Sequence, residues 1–313
     1  MKNILFLDSL HPYLEDELRE KGFNVISDFS SSKQEIEKIL PQFDGIVIRS
    51  RFKLDSAFLD KAVNLKFIAR GGAGLENIDV AYAESKGIKC IHAPEGNRDA
   101  VGEHAIGMLL SLFNNLIRAD KQVREGVWKR EENRGIELMG KTVGLIGYGN
   151  TGGAFARKLK GFDVKVLAYD KYRIDYTDEY ATAASVEQIN EEADILSIHL
   201  PLTGETQYLV NSNYLNNFRK NIFLINTSRG PIVNTEDLVE SLKSGKVMGA
   251  CLDVLEYEAV SFENLDKDQL PEAFQFLSKS DKVQLSPHIG GWTHESNYKI
   301  ATTLFSKIIR LDN

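Results

Sequence analysis

Short apolar runs alternate with amphipathic stretches along nearly the whole chain, and this alternation constrains the fold more than any other feature. NILFLD (3–8), NVISD (24–28), GIVIRS (45–50), LKFIAR (65–70) and IKCIHA (88–93) read as buried strands. PYLEDELREKG (12–22), SKQEIEKILPQF (32–43) and VAYAESKG (80–87) read as the helices between them. Strands separated by helices pair in parallel, and strands apolar on both faces need helices on both sides. From Lys141 the alternation restarts. TVGLIGYG (142–149), VKVLAYD (164–170), DILSIHLP (194–201), NIFLINTSRG (221–230) and VMGACLDV (247–254) are its strands, with helices expected over 152–160, 185–191 and 235–244. The predicted class is therefore α/β, with two doubly wound parallel-sheet domains.

Between the two sets, AVGEHAIGMLLSLFNNLIRADKQVREG (100–126) has helical spacing with no clear stop before Gly126. It reads as one connecting helix, packed either against a second subunit or within the core of one monomer. The stretch 259–280 is polar and acidic and reads as an irregular insertion. The amphipathic run WTHESNYKIATTLFSKIIRL (292–311) forms a final helix.

The composition, 42% apolar and 27% charged, is that of an ordinary globular protein. A net charge of −7 without basic runs argues against nucleic acid or an acidic membrane as partner. Cys90 and Cys251 lie far apart, so neither a disulfide framework nor a metal site is expected. The opening MKNILFLDSLHP has too short an apolar run for a signal peptide or a membrane span, which points to the cytoplasm.

Gly147-Tyr148-Gly149-Asn150-Thr151-Gly152 has the G-x-G-x-x-G spacing, with a strand before it, a helix after it and Asp170 at the end of the next strand. Gly147 permits a tight turn, Gly149 lets a pyrophosphate approach the backbone, and Gly152 allows close helix–strand packing. The helix N-terminus offers unpaired N–H groups to the phosphates. Asp170 can accept the adenosine ribose hydroxyls and would repel a 2′-phosphate. NAD is thus favoured over NADP, although Lys171 and Arg173 stand close by. Three candidates for chemistry follow later strands: Arg229 in NTSRG, Glu258 after VMGACLDV, and His288 in SPHIGG. An arginine fork suits a carboxylate, and a histidine with an acid suits proton transfer. Each alone also fits an ordinary loop residue, and spacing does not show that the three converge.

In these segments the chain resembles the D-isomer-specific 2-hydroxyacid dehydrogenases, and within them the short phosphoglycerate-dehydrogenase-like members. The resemblance rests on GGAGLENID (71–79), NRDAVGEH (97–104), GLIGYGNTG (144–152), HLPLT (199–203), NTSRG (226–230), LDVLEYE (252–258) and SPHIGG (286–291), in order. It implies a flavodoxin-like substrate domain of residues 1–99 and 284–313, with a Rossmann NAD-binding domain of residues 100–283. It implies catalytic roles for Arg229, Glu258 and His288, and cofactor contacts for His199, Pro201 and Thr227 beside the glycine turn and Asp170. Asp253 resembles the residue that holds the nicotinamide carboxamide. Gly72, Ala73 and Gly74 resemble a backbone clamp for the substrate carboxylate, and Arg49, Ser50 and Asn97 resemble further substrate-side positions.

The chain departs from the family where Ala259 follows the acid, where the insertion lengthens the path to His288, and at Trp292, where a small residue is common. Arg49, Arg51, Arg70 and Arg98 could together serve a phosphorylated substrate, so 3-phosphoglycerate is the expected acid. Glyoxylate, hydroxypyruvate or D-lactate chemistry is the alternative. A homodimer is expected, with the 100–126 helix as the candidate contact, and serine feedback through a C-terminal domain is not expected. A non-enzymatic NADH-sensing protein is the alternative of another class. The presence of Arg229, Glu258 and His288 argues against it.

Overall fold

The computed structural model describes residues 2–258 and 270–312. The chain divides into two compact units, residues 1–98 with 292–313, and residues 99–291.

In the first unit β1 (Asn3–Phe6), β2 (Asn24–Ser27), β3 (Gly45–Ile48), β4 (Phe67–Arg70) and β5 (Lys89–His92) form a parallel sheet in the order β2-β1-β3-β4-β5. That order is the flavodoxin-like one. Successive residues of β1 point to opposite faces, and both faces are covered. Ile4 and Phe6 pack with Leu14 and Leu18 of α1 (Tyr13–Glu20) and with Ile300, Leu304 and Ile308 of the last helix, α12 (His294–Asp312). Leu5 and Leu7 pack with Ile36 of α2 (Lys33–Ile39), Phe58 of α3 (Ser56–Lys61) and Ala83 of α4 (Val80–Ser85). Helix starts are marked locally: Ser32 and Glu35 form a capping box, and Asp55 and Asp79 accept the amides of Phe58 and Tyr82.

The larger unit holds β6 (Thr142–Ile146), β7 (Lys165–Tyr169), β8 (Thr182–Ala183), β9 (Ile195–Ile198), β10 (Ile222–Asn226), β11 (Val247–Leu252) and β12 (Val283–Leu285). They form a parallel sheet in the order β12-β11-β10-β9-β6-β7-β8. Counted from β6, this is the Rossmann order with one strand added, and the order reverses between β6 and β9. One face packs against α5 (Pro94–Phe113) through Ala105, Leu109 and Phe113, and against α7 (Asn150–Leu159) through Phe155 and Leu159. The other face is covered by α8 (Val186–Glu192), α9 (Ser212–Asn216), α10 (Thr235–Ser244) and α11 (Glu272–Lys279). No helix among the described residues is long and apolar enough to cross a membrane.

Three expectations need correction. The run 100–126 is two helices, α5 and α6 (Leu116–Arg124), and α5 starts before residue 100. They part at Asn114–Asn115, where Asn115 takes a left-handed φ of 53°, a conformation asparagine tolerates. Its first half belongs to the core of the larger unit. The stretch expected to be irregular, 259–280, contains α11, whose Ala273 and Leu277 are buried; Ala259 and the rest of the insertion through residue 269 lie outside the described residues. The chain leaves the larger unit at Trp292 and not at residue 284, because β12 pairs with β11 and carries the following turn with it.

Candidate active site

β10, β11 and β12 are parallel neighbours, so their C-terminal ends share one edge of the sheet. Arg229 follows the end of β10 at Asn226, Glu258 the end of β11 at Leu252, and His288 the end of β12 at Leu285. A Cβ on Gly230 would stand 1.9 Å from the Leu255 carbonyl oxygen, so glycine lets the loop after β10 lie directly on the loop after β11. The Arg229 guanidinium donates to the Ser228 carbonyl at 2.6 Å. Glu258 Oε2 lies 2.7 Å from His288 Nδ1, and its Oε1 accepts the Leu255 amide at 2.5 Å. An ionised carboxylate only accepts, so Nδ1 carries the proton and Nε2 is the basic nitrogen of the neutral ring.

His288 itself has a φ of +54°, an uncommon conformation outside glycine. Asp253 holds it there. The Asp253 carbonyl accepts the His288 amide at 2.8 Å, and its carboxylate accepts Ile289 N at 2.9 Å, Gly290 N at 2.7 Å and Ser286 Oγ at 2.6 Å. His104 Nε2 lies 2.9 Å from Ser286 Oγ and 3.3 Å from Asp253 Oδ1. Asp253 is only 2% exposed. Burial pushes its pKa up, but the donors from His104, Ser286, Gly290 and Ile289 outweigh burial and hold it below its ordinary value. Both carboxylate oxygens thus serve the turn that carries His288.

The glycine turn lies where the strand order reverses. A Cβ on Gly147 (φ +97°) would meet the His199 carbonyl oxygen at 2.4 Å, and one on Gly152 would meet the Gly147 carbonyl oxygen at 2.2 Å. Around Gly149 a Cβ would meet nothing, so that backbone faces open space. Asn150 and Thr151 form the first turn of α7, where backbone N–H groups lack helical partners. At the end of β7, Asp170 accepts the amides of Tyr148 (2.9 Å), Tyr172 (3.0 Å) and Arg173 (3.2 Å). The Arg173 guanidinium donates to the Tyr148 carbonyl, and Lys171 pairs with Glu205 at 2.6 Å.

In the first unit, Asp8 at the end of β1 accepts the amides of Arg49 (2.6 Å), Ser50 (3.1 Å) and Arg51 (3.2 Å), fixing the loop after β3. The Arg49 guanidinium lies 4.0 Å from the centre of the Trp292 ring. Arg51 is committed to the carbonyls of Leu7, Asp28 and Ser31. Arg70 Nε donates to the Arg49 carbonyl at 3.2 Å. After β4, Gly72 N donates to the Arg70 carbonyl at 2.9 Å, so within the expected clamp its amide is already engaged. Asn97 sits in the first turn of α5 with its Oδ1 buried and unpartnered among the described residues.

The family model for the NAD binding domain of the D-isomer specific 2-hydroxyacid dehydrogenases matches residues 106–290. A hydroxypyruvate reductase of Thermotoga maritima is 36% identical over 278 residues, which cover 89% of this chain and 88% of that protein. This chain belongs to the D-isomer specific 2-hydroxyacid dehydrogenases. A D-3-phosphoglycerate dehydrogenase of Archaeoglobus fulgidus is 34% identical over 301 residues, 95% of this chain but 54% of the relative, so the chain spans about half the length of that protein. Among solved structures, the D-lactate dehydrogenase from Aquifex aeolicus complexed with NAD and lactic acid has a TM-score of 0.82 and 27% identity, covering 99% of this chain and 95% of its own.

As a dehydrogenase of this family the chain uses NAD, and its own atoms fit that cofactor. His199 Nδ1 and Thr227 Oγ1, beyond the ends of β9 and β10, are buried with no partner among the described residues. Buried polar atoms seldom stay unpaired, and both are available to a bound group. Burial pushes the His199 pKa down to about 3, which keeps its ring neutral. Its Nε2 lies 2.9 Å from Ser197 Oγ. Pro201 opens the following loop, where its carbonyl accepts Thr206 Oγ1 at 2.7 Å. Sequence reasoning missed Asp8, His104 and Ser286. Asp8 and Ser286 carried a visible signal, an acid and a hydroxyl at strand ends, while His104 stood inside a quoted motif without a role.

Proposed function

We propose that this dehydrogenase interconverts 3-phosphoglycerate and 3-phosphohydroxypyruvate, with His288 as the proton carrier. The observation that carries the proton-transfer reading is the His288–Glu258 pair at 2.7 Å, placed at the carboxyl ends of the Rossmann strands. Gly147, Gly149 and Gly152, with Asn150 and Thr151, would hold the cofactor pyrophosphate. Asp170 would take the ribose hydroxyls, and His199, Pro201 and Thr227 the nicotinamide side. When bound, the nicotinamide supplies the hydride acceptor. Arg229 binds the substrate carboxylate and polarises its carbonyl. His288 Nε2 takes the hydroxyl proton as the C–H hydride leaves, and Glu258 stabilises the imidazolium through Nδ1–H. In reduction the imidazolium returns that proton to the carbonyl oxygen.

The phosphate assignment rests on Arg49 and Arg70 flanking one loop. A Cβ on Gly71 would stand 3.1 Å from Arg49 Cγ, and one on Gly72 would stand 1.8 Å from an Arg70 guanidinium nitrogen. Stacking on Trp292 occupies the face of Arg49 but not its in-plane donors. A second reading, hydroxypyruvate or glyoxylate reduction, is favoured by Arg51, whose guanidinium already serves backbone carbonyls. Leu116, Ile117 and Val123 of α6, together with Trp128, are exposed apolar side chains that support a homodimer.

The test is NADH absorbance with phosphohydroxypyruvate, hydroxypyruvate, glyoxylate and pyruvate. We expect kcat/KM for phosphohydroxypyruvate at least about tenfold above the others, a difference of about 1.4 kcal/mol. His288→Gln is expected to lower turnover by roughly 10²–10⁴ with NADH binding intact. Equal or better use of hydroxypyruvate selects the second reading, and no oxidation with any of the four returns the sensor.

A further inference from the structure

We propose that His92 is a positioning residue that aims the backbone amide of Gly74 at the substrate carboxylate; this rests on the reading of residues 72–74 as a carboxylate-binding loop. His92 ends β5, next to β4, whose Arg70 it faces in register. Its Nδ1 lies 2.5 Å from the Ala73 carbonyl oxygen. One residue on, Ala93 N donates to the Gly72 carbonyl at 2.9 Å. Two consecutive carbonyls of the loop, at 72 and 73, are therefore drawn toward the segment that leaves β5. No peptide bond among the described residues is cis. In a planar trans peptide the C=O of one residue and the N–H of the next point in opposite directions. Drawing the carbonyls of Gly72 and Ala73 to one side aims the amides of Ala73 and Gly74 to the other.

The Gly72 amide is outside this pair, since it donates to Arg70. The clamp thus consists of Ala73 N–H and Gly74 N–H, two adjacent donors suited to the two oxygens of a carboxylate. Ala93 fixes the first through its own backbone, which any residue would do. The second depends on the His92 side chain. A carbonyl oxygen only accepts, so the neutral ring must be the Nδ1–H tautomer. The backbone of His92 is itself held from behind. Lys307 of α12 donates to the His92 carbonyl at 2.8 Å and pairs with both oxygens of Glu95 at 2.9 Å. Through Lys307, α12 therefore anchors the backbone of the residue that orients the loop.

The test compares wild type, His92→Leu and His92→Asn. Leucine fills space without a donor, and asparagine can place Nδ2–H near the position of Nδ1. With NADH bound, we expect His92→Leu to raise KM for the 2-keto acid and Kd for oxamate about tenfold, the worth of one charge-assisted hydrogen bond. The Kd for NADH should not change, and kcat should stay within about threefold, as for an interaction made equally in ground and transition states. His92→Asn should recover most of the oxamate affinity. Unchanged oxamate affinity in a folded His92→Leu, or equal losses in both variants, overturns the proposal. If neither variant folds, the long-range ¹H–¹⁵N spectrum of the wild-type imidazoles decides, because an Nε2–H tautomer at His92 rules out the bond to Ala73. Wild-type protein that binds oxamate but turns over no 2-keto acid would sink the proposed activity alone, whereas failure to bind oxamate would overturn the loop assignment.

Discussion

Replacing Asp253 by asparagine separates the group that aims His288 from the groups that do chemistry. The wild-type carboxylate is buried and accepts Ser286 Oγ, Ile289 N and Gly290 N, with His104 beside it. Asparagine is nearly isosteric but keeps one acceptor oxygen and presents N–H groups where the other oxygen stood. If that oxygen retains Ser286 and Ile289, the new amide faces Gly290 N–H, donor against donor. A buried donor left unsatisfied costs about 1–3 kcal/mol, and losing charge assistance from the remaining bonds adds about 1 kcal/mol, so the variant should be destabilised by about 2–4 kcal/mol. For a unit of this size that lowers the thermal midpoint of the cofactor-free protein by roughly 5–12 °C. The effect depends on pH in a defined direction. The folded pKa of Asp253 is depressed, so its contribution is complete above the unfolded value of about 3.9 and is lost as pH falls through the folded one. The gap between wild type and variant should be full near neutrality and close in acid. Differential scanning fluorimetry across pH measures this, and steady-state kinetics should show kcat reduced by on the order of tenfold or more as His288 loses its direction. A variant that melts with wild type and loses only NADH affinity would refute the turn-holding role and favour the carboxamide contact that the resemblance implies.

Three further outcomes follow from the same geometry. Glu258→Gln keeps the shape of the dyad but not its charge, and should lower kcat by roughly 10²–10⁴ with NADH binding unchanged in a fluorescence titration. Gly152→Ala places a Cβ 2.2 Å from the Gly147 carbonyl oxygen; the turn must shift, so NADH affinity should fall at least about tenfold, and wild-type affinity would show that the turn does not carry the cofactor. Trp292→Ala removes the ring stacked on Arg49, an interaction worth about 0.5–2 kcal/mol, and should raise KM for phosphohydroxypyruvate about threefold to tenfold while leaving that for glyoxylate in place. An equal change for both substrates would disconnect Arg49 from the phosphate.

Most of both sheets was legible because the signal is periodic and repeated: β1, β3, β6, β9 and β10 are apolar on both faces, as buried parallel strands with helices between them must be, whereas β8 and β12 are too short to show it. Single events were less legible. The break at Asn114–Asn115 is one left-handed residue inside an apolar stretch, and propensity assigns it little weight. The helix α11 was hidden by its acidic surroundings, since only Ala273 and Leu277 are buried on it. The return at Trp292 depends on which sheet accepts β12, a pairing that no local pattern encodes.

The same distinction divides the candidate site. Residues defined by their own chemistry, such as Arg229, Glu258, His288 and the glycines of the turn, stood out because a motif preserves residue type. Asp253 and His92 also act on backbone groups: one carboxylate holds the amides after His288, and one imidazole holds the Ala73 carbonyl. A sequence names the acceptor or donor but not the direction of the peptide it meets. That direction follows from the strand ends and the turns between them. Binding and turnover in this chain should therefore respond to positions such as His92, Trp292 and Asp253, where a side chain aims another group, as sharply as to the residues that touch the substrate.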